Sequence, residues 1–366
     1  MTTSKALLFG SLSLALTVAL PAAIAAPAAA QPKASAAPQS GPTTLPREIV
    51  TATAPLNADQ SKLLLGFIEG FVNTIETARD PRSLDDARRA LVEPLRDPAA
   101  TPVFRRAFSA TATSRLSPIV KGADTQRAIH AMQVAAFIGT PEALALITGR
   151  LDTSEPDPAK RQNAASTIAH ALEDVAGLTA VDFDTISRAI FAAAEKESEA
   201  SIILREFRAL SVIASRAGVP ESSATLARSN QAKLVRGMLG QLGAGAGSDT
   251  RMTIVAKAIA DMQKQWTRLT SAHEKLGPTI APLLVDVLAT TGKNWDAARA
   301  SGSDAYGEAV ASAEVLLRVV DARLRSKAGE VTAAGAIAKA WEANDKKAYD
   351  ALVAKWTAVV GAAPYR

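Results

Sequence analysis

The sequence predicts an all-α fold of stacked antiparallel helix hairpins followed by a helical bundle, on three observations. Apolar residues recur three and four apart along most of the chain, the spacing of one helix face. No segment sustains the alternation of Val, Ile, Thr and aromatic residues that a half-buried strand requires. Helix start and stop signals follow one another closely, most clearly in residues 125–151, TQRAIHAMQVAAFIGTPEALALITGRL. The composition agrees: hydrophobic residues make up 48%, enough for a buried core, while aromatics are only 4% and alanine is abundant.

Residues 125–151 read as helix, tight turn, helix. Ile129, Met132 and Ala136 form one stripe, with Arg127, His130 and Gln133 largely off it. Gly139 supplies the backbone freedom of a helix C-terminus. Thr140 can accept from a free N–H of the next helix, and Pro141 suits the first helical position, where its missing N–H costs nothing. Glu142 puts negative charge at the positive end of the helix dipole, and Leu144, Ile147 and Leu151 continue the apolar spacing. So short a turn makes the two helices antiparallel neighbours. One pair cannot bury its stripe alone, so other pairs must stack on it. The stretch AAFIGTPEALALITGRL resembles the HEAT-like repeats of the phycobilisome-lyase type, with their alanine-rich first helix, Gly-x-Pro-like turn and leucine-bearing second helix. The resemblance implies an α-solenoid with one concave face. It implies no particular activity, because that family includes scaffolds as well as enzymes.

Residues 1–30 read as an export signal. Lys5 gives a short positive region, residues 6–20 an apolar run, and Pro21 a break before small residues. Cleavage is expected after Ala30 or Ala25; cleavage after Ala26 would place Pro27 first. Without a twin arginine, the general secretory route is expected. The rival, a retained membrane anchor, is disfavoured by the shortness of the apolar run. No later segment approaches about 18 uncharged apolar residues, so no membrane span is expected after signal cleavage. The mature chain is expected to be periplasmic or secreted. It contains no cysteine, which excludes disulfides, thiolate metal sites and a cysteine nucleophile.

Residues 31–56, rich in Pro, Ala, Ser and Thr, read as a linker, and residues 57–242 as the helical-hairpin domain. Asn57 opens a helix with Leu64, Phe67, Ile68, Phe71 and Ile75 as its stripe, ended by Asp80-Pro81. Ser83 can cap a short helix to about Leu95, and Thr101-Pro102 opens one carrying Phe104 and Phe108. After residues 125–151, a second pair is expected over 159–175 and 182–196, with Arg161 standing where Arg127 stands in the first. A third is expected over 199–214 and 222–242. Residues 243–248, GAGAGS, form a glycine-rich linker before a bundle over 249–366. There Asp249 can cap a helix through Trp266, and Gly277-Pro278 precedes a helix around 283–288. A helix near 304–326 sets Val310, Ala313, Leu317, Val320 and Leu324 on a seam for a partner within the chain. A last hairpin over 331–360 packs on Trp341 and Trp356.

Most chemistries find no support. The net charge of +5, from 41 basic and 36 acidic residues, is mild for this length and does not indicate nucleic acid. GAGAGS follows a helix rather than a strand and lacks Gly-Lys-Ser/Thr, so it is no phosphate loop. Gly-x-Ser-x-Gly and Ser-x-x-Lys are absent. A helical polysaccharide lyase would rely on Tyr, His and Arg and on aromatic platforms, which are scarce. His130 and His170, read as similar positions in successive repeats, could with Glu173 hold a metal, but no His-x3-His pair exists and no cofactor is expected. Asp152, Glu155 and Asp157 lack the glycine of a calcium loop, and Asp157-Pro158 suits an N-cap with its N1 proline. Asp182 and Asp184 also read as caps. Arg88, Arg89, Arg105 and Arg106, on consecutive helices, are the candidate binding residues, a patch for an anionic polymer or an acidic protein face. No catalytic residue stands out. The expected function is a non-enzymatic binding or scaffold protein of the bacterial cell envelope, offering a helical-repeat surface to a protein partner. The alternative is a helical enzyme or ligand-binding protein with a site between the two helical parts.

Overall fold

In the computed structural model, residues 42–242, 248–268, 273–325 and 331–365 are described. These residues form α-helices and no strand. The first ten helices are α1 (Arg47–Val50), α2 (Ala58–Thr77), α3 (Pro81–Arg96), α4 (Pro102–Lys121), α5 (Thr125–Ile138), α6 (Pro141–Thr148), α7 (Pro158–Asp174), α8 (Ala180–Ala194), α9 (Ala200–Ser215) and α10 (Glu221–Gly240). Then come α11 (Ser248–Arg268), α12 (His273–Lys293), α13 (Trp295–Ala300), α14 (Ala305–Leu324), α15 (Ala336–Glu342) and α16 (Lys346–Val360).

The packing makes two rows. One runs α3, α5, α7, α9, α11, and the other α2, α4, α6, α8, α10, α12, each helix touching the next in its row. Sequence neighbours such as α4 with α5, α8 with α9 and α9 with α10 bridge the rows. Both rows continue past residues 243–247, since α9 packs on α11 and α10 on α12. The rows end on α14, which packs on α11, α12 and α15, and on α16, which packs on α12 and α15. The seam residues Val310, Ala313, Leu317 and Val320 of α14 are buried there, so the partner helices of that seam are α11 and α12.

Local signals account for most boundaries. Asn57 and Gln60 make a capping box at the start of α2. Thr101, Thr140 and Asp157 each cap a helix whose first residue is proline. Gly139, at φ +70°, closes α5 by donating its N–H to Ala135 O. Leu144, Ile147 and Leu151 are fully buried. α5 is the most enclosed helix of this region, in contact with α2, α3, α4, α6 and α7. Its burial therefore exceeds the single stripe read from sequence: Ala128, Ala131, Val134, Ala135 and Ile138 are buried too, while Ile129 is only half-buried.

Several expectations need correction. Residues 42–56 are not all linker: Ile49 and Val50 of α1 are buried, and Thr101 donates from its backbone to Val50 O and from its hydroxyl to Ala52 O. Asp80, not Ser83, caps α3, so Pro81 is its first residue. α12 runs through Gly277, Pro278 and Pro282 instead of starting after them. Each proline removes one intrahelical bond, but Leu276, Ile280, Leu283, Leu284, Val287 and Leu288 are all buried along this helix. Gly277 is a contact point, since a Cβ there would collide with Leu324 Cδ1 on α14. α13 was not foreseen. Residues 1–41 and 243–247, with the expected signal and most of the glycine-rich linker, lie outside the described residues, as does the Asp249 side chain. Among the described residues no helix is long and apolar enough to cross a membrane.

Two glycines should respond oppositely to alanine. Gly139→Ala forces a side chain into a left-handed residue and puts its Cβ 3.0 Å from Val175 Cγ2, at an expected loss of roughly 1–3 kcal/mol. Gly237→Ala, inside α10 with open space at its Cβ, should gain about 0.4–1 kcal/mol. Urea unfolding of both variants checks the pair, and equal shifts of one sign would contradict the assignment.

Candidate functional site

Three of the four candidate arginines are engaged within the fold. Arg88 and Arg89 both pair with Asp85 of their own helix, and the pairing with Arg88 holds the Asp85 carboxyl below its usual range. Arg105 donates its Nη2 to Leu95 O at 2.6 Å, closing the end of α3. Leu95 is two turns of α3 beyond Arg88, about 10 Å along the axis. Arg106 is exposed.

The histidines part as well. The N-caps Asp124 and Asp157 set the register between α5 and α7, and the Thr125 hydroxyl donates to Asp157 itself. In that register Arg127 matches Lys160, not Arg161. Arg127 reaches Ala78 O at the end of α2, and Lys160 reaches Gly122 O at the end of α4. His170 then matches Phe137, and the two rings meet edge to face at 6.4 Å. His130, about two turns earlier on α5, lies beside Arg88 and Asp85; burial, then the Arg88 charge, lowers its pKa. His170 Nδ1 is 3.4 Å from Glu173, whose carboxyl is held below its usual range by the Arg208 guanidinium at 3.0 Å. Among the described residues no three His, Cys, Asp or Glu side chains group as metal ligands would.

The acidic loop is structural. Asp157 caps α7, Asp152 pairs with Lys196 at 2.9 Å, and the buried Glu155 pairs with Arg150 at 2.9 Å. Asp182 completes a capping box with Thr179. Asp184 is no cap: it lies 3.7 Å from Arg188.

One cavity brings together residues that the sequence left apart. It has a volume of about 350 Å³ and opens where α3, α5 and α7 end, beside the first turn of α4. Arg105 and His170 both line it, one from the arginine set and one from the histidine set. Leu95, Ala136, Phe137, Ile138 and Val175 give it apolar walls, and Asp174 a carboxylate. Arg96 lies over the Phe137 ring, 4.5 Å from its centre. The size falls within the range of small-ligand sites. Sequence reading missed it because it depends on three helix ends meeting.

Sequence reading also missed Glu206. It occupies an apolar face of α9 between Ile202, Ile203, Phe207 and Leu210, a charged residue at a core position, and that was its signal. It is fully buried and neither carboxylate oxygen has a partner. Burial, then the nearby Glu197 charge, pushes its pKa up to about 9. Glu197 is engaged elsewhere, accepting two bonds from Arg161 at 2.7 and 3.2 Å and two from the Ser198 and Glu199 N–H groups. A raised carboxyl can mark an active site, but Glu206 exposes no atom to a substrate.

No protein-family model matches the chain, and no curated protein matches it.

Glu206 gives the fold a pH dependence of definite sign. Unfolded, the group ionises near 4.5; folded, it keeps its proton to about pH 9. Its stabilising contribution is complete below pH 4.5 and is lost as pH rises toward 9, by at most about 1.4 kcal/mol per unit. Glu206→Gln removes that dependence, so it should stabilise the protein more at pH 8.5 than at pH 5. Urea midpoints at the two pH values that shift in parallel would contradict a protonated Glu206.

Proposed function

We propose that the chain is an exported, non-catalytic binding protein of the bacterial cell envelope, in which a HEAT-like stack of helix hairpins carries a small-ligand site. The export reading rests on the sequence of residues 1–30. The two rows of helices, with hairpins bridging them, support the repeat reading. The observation that carries the binding reading is the cavity at the ends of α3, α5 and α7, where an arginine, a carboxylate and an aromatic ring line one apolar hollow. It lies among the first helices, not between the two helical parts.

A second reading, docking of a protein on the helix surface, draws on α8, where Val181 leaves 72% of its surface exposed, and on Leu63 and Leu65 of α2.

The experiment is a thermal-shift screen of small metabolites on the mature protein and on Ala176→Trp. Ala176 is exposed and lines the cavity, so tryptophan there should block it without disturbing the core. Compounds that raise the melting temperature of the parent but not of the variant support the cavity as the site. If no compound acts, or if all act equally on both, the small-ligand reading fails and crosslinking for a protein partner takes its place.

A further inference from the structure

We infer that this cavity takes a small zwitterion, an amino acid with an apolar side chain. The inference rests on the binding reading above. Three features of the lining define the ligand. The first is a pair of opposite charges that do not meet. Arg105 and Asp174 both line the cavity, yet they form no ion pair within 4.0 Å. Arg105 uses one N–H on Leu95 O, which leaves the rest of its fork for a carboxylate. Asp174 is exposed and makes no side-chain bond in the fold.

The second feature is a set of open carbonyls. A helix leaves its last four C=O groups without intrahelical partners. In α5 the Ala135 carbonyl receives the Gly139 N–H, and no backbone N–H reaches the carbonyls of Ala136, Phe137 and Ile138, three residues that line the cavity. α7 ends at the same place, and its Ala171 carbonyl receives the Val175 N–H. Arg216 already meets the α7 end by donating to Val175 O, so the α5 end and Asp174 are what favour an ammonium group here. The third feature is the apolar wall of Phe137, Ile138 and Leu95, which suits a hydrocarbon side chain. A carboxylate, an ammonium and a short apolar body together describe an amino acid. A simple anion would meet the carbonyls unfavourably, and a simple amine would leave the Arg105 fork unused.

The test is titration calorimetry of the mature protein with L-leucine, leucinamide and N-acetylleucine. Leucinamide lacks the carboxylate and N-acetylleucine lacks the ammonium. Leucine should bind with one-to-one stoichiometry, and each analogue at least about tenfold more weakly, since a charged hydrogen bond contributes roughly 1.5–3 kcal/mol. Asp174→Asn should weaken leucine about tenfold or more and leave the weak N-acetylleucine binding unchanged. Asp174 is the residue to change, because Arg105 also closes α3 and its loss would mix folding with binding. Equal binding of the three compounds, or no effect of Asp174→Asn on leucine, overturns the zwitterion. If leucine and its analogues all fail while other compounds still act on the parent and not on Ala176→Trp, the zwitterion is wrong and the binding reading survives. If no compound separates those two proteins, the binding reading itself fails.

Discussion

The interaction on which the arrangement of these helices depends is the capping of helix C-terminal carbonyls by cations of other helices. A helix end leaves carbonyls that water or another group must satisfy, and its dipole favours positive charge there. Here an arginine or lysine of another helix does this repeatedly. Arg127 serves the end of α2, Lys160 that of α4, Arg105 that of α3, Arg216 that of α7, Arg228 that of α9 and Arg251 that of α10. Each bond ties two helices at the end of one of them. Long basic side chains also cover apolar surface with their stems. Six of the 41 basic residues are thereby structural, Arg105 among them.

What sequence could supply was local. Caps, N1 prolines and the left-handed Gly139 act within a few residues, and they fixed the turn between α5 and α6 and the start of α7. The all-α class followed from spacing over many residues. What failed was everything that depends on a second helix. Gly277 read as a break because the close approach of Leu324 is invisible in the sequence. His130 and His170 were aligned by similarity, whereas the N-caps Asp124 and Asp157 set a register that matches His170 with Phe137. Arg105 and His170 carry different sequence signals and line one cavity because α4 and α7 both pack on α5.

The buried charges near α9 show the cost side of the same design. Glu197 has four donors and Arg161 a bidentate partner plus Glu155 O, so that pair is well satisfied. Removing one member of such a pair leaves an unpaired buried charge, at a typical cost of 3–5 kcal/mol. Glu206, one helix turn from Ile202 and Ile203, has no such support and escapes the penalty of a buried charge by keeping its proton. Two carboxyls of the same neighbourhood thus differ in ionisation because only one is given donors.

The cavity lies at a helix end that the capping scheme does not reach, as it does not reach the ends of α6 and α8. The α7 end is partly closed, since Arg216 donates to Val175 O, and the α3 end is closed by Arg105. The α5 end is turned by Gly139, whose N–H takes one carbonyl and leaves the remainder without a cation. Gly139 also lies 3.0 Å, measured from its missing Cβ, from Val175, so the ends of α5 and α7 approach closely there. A chain that closes several helix ends with arginine or lysine has left the carbonyls of Ala136, Phe137 and Ile138 without a backbone partner in the last turn of α5, whose residues line an apolar hollow together with an unpaired carboxylate. A positively charged group of a ligand completes there the same interaction that Arg127, Lys160 and Arg228 complete elsewhere within the fold.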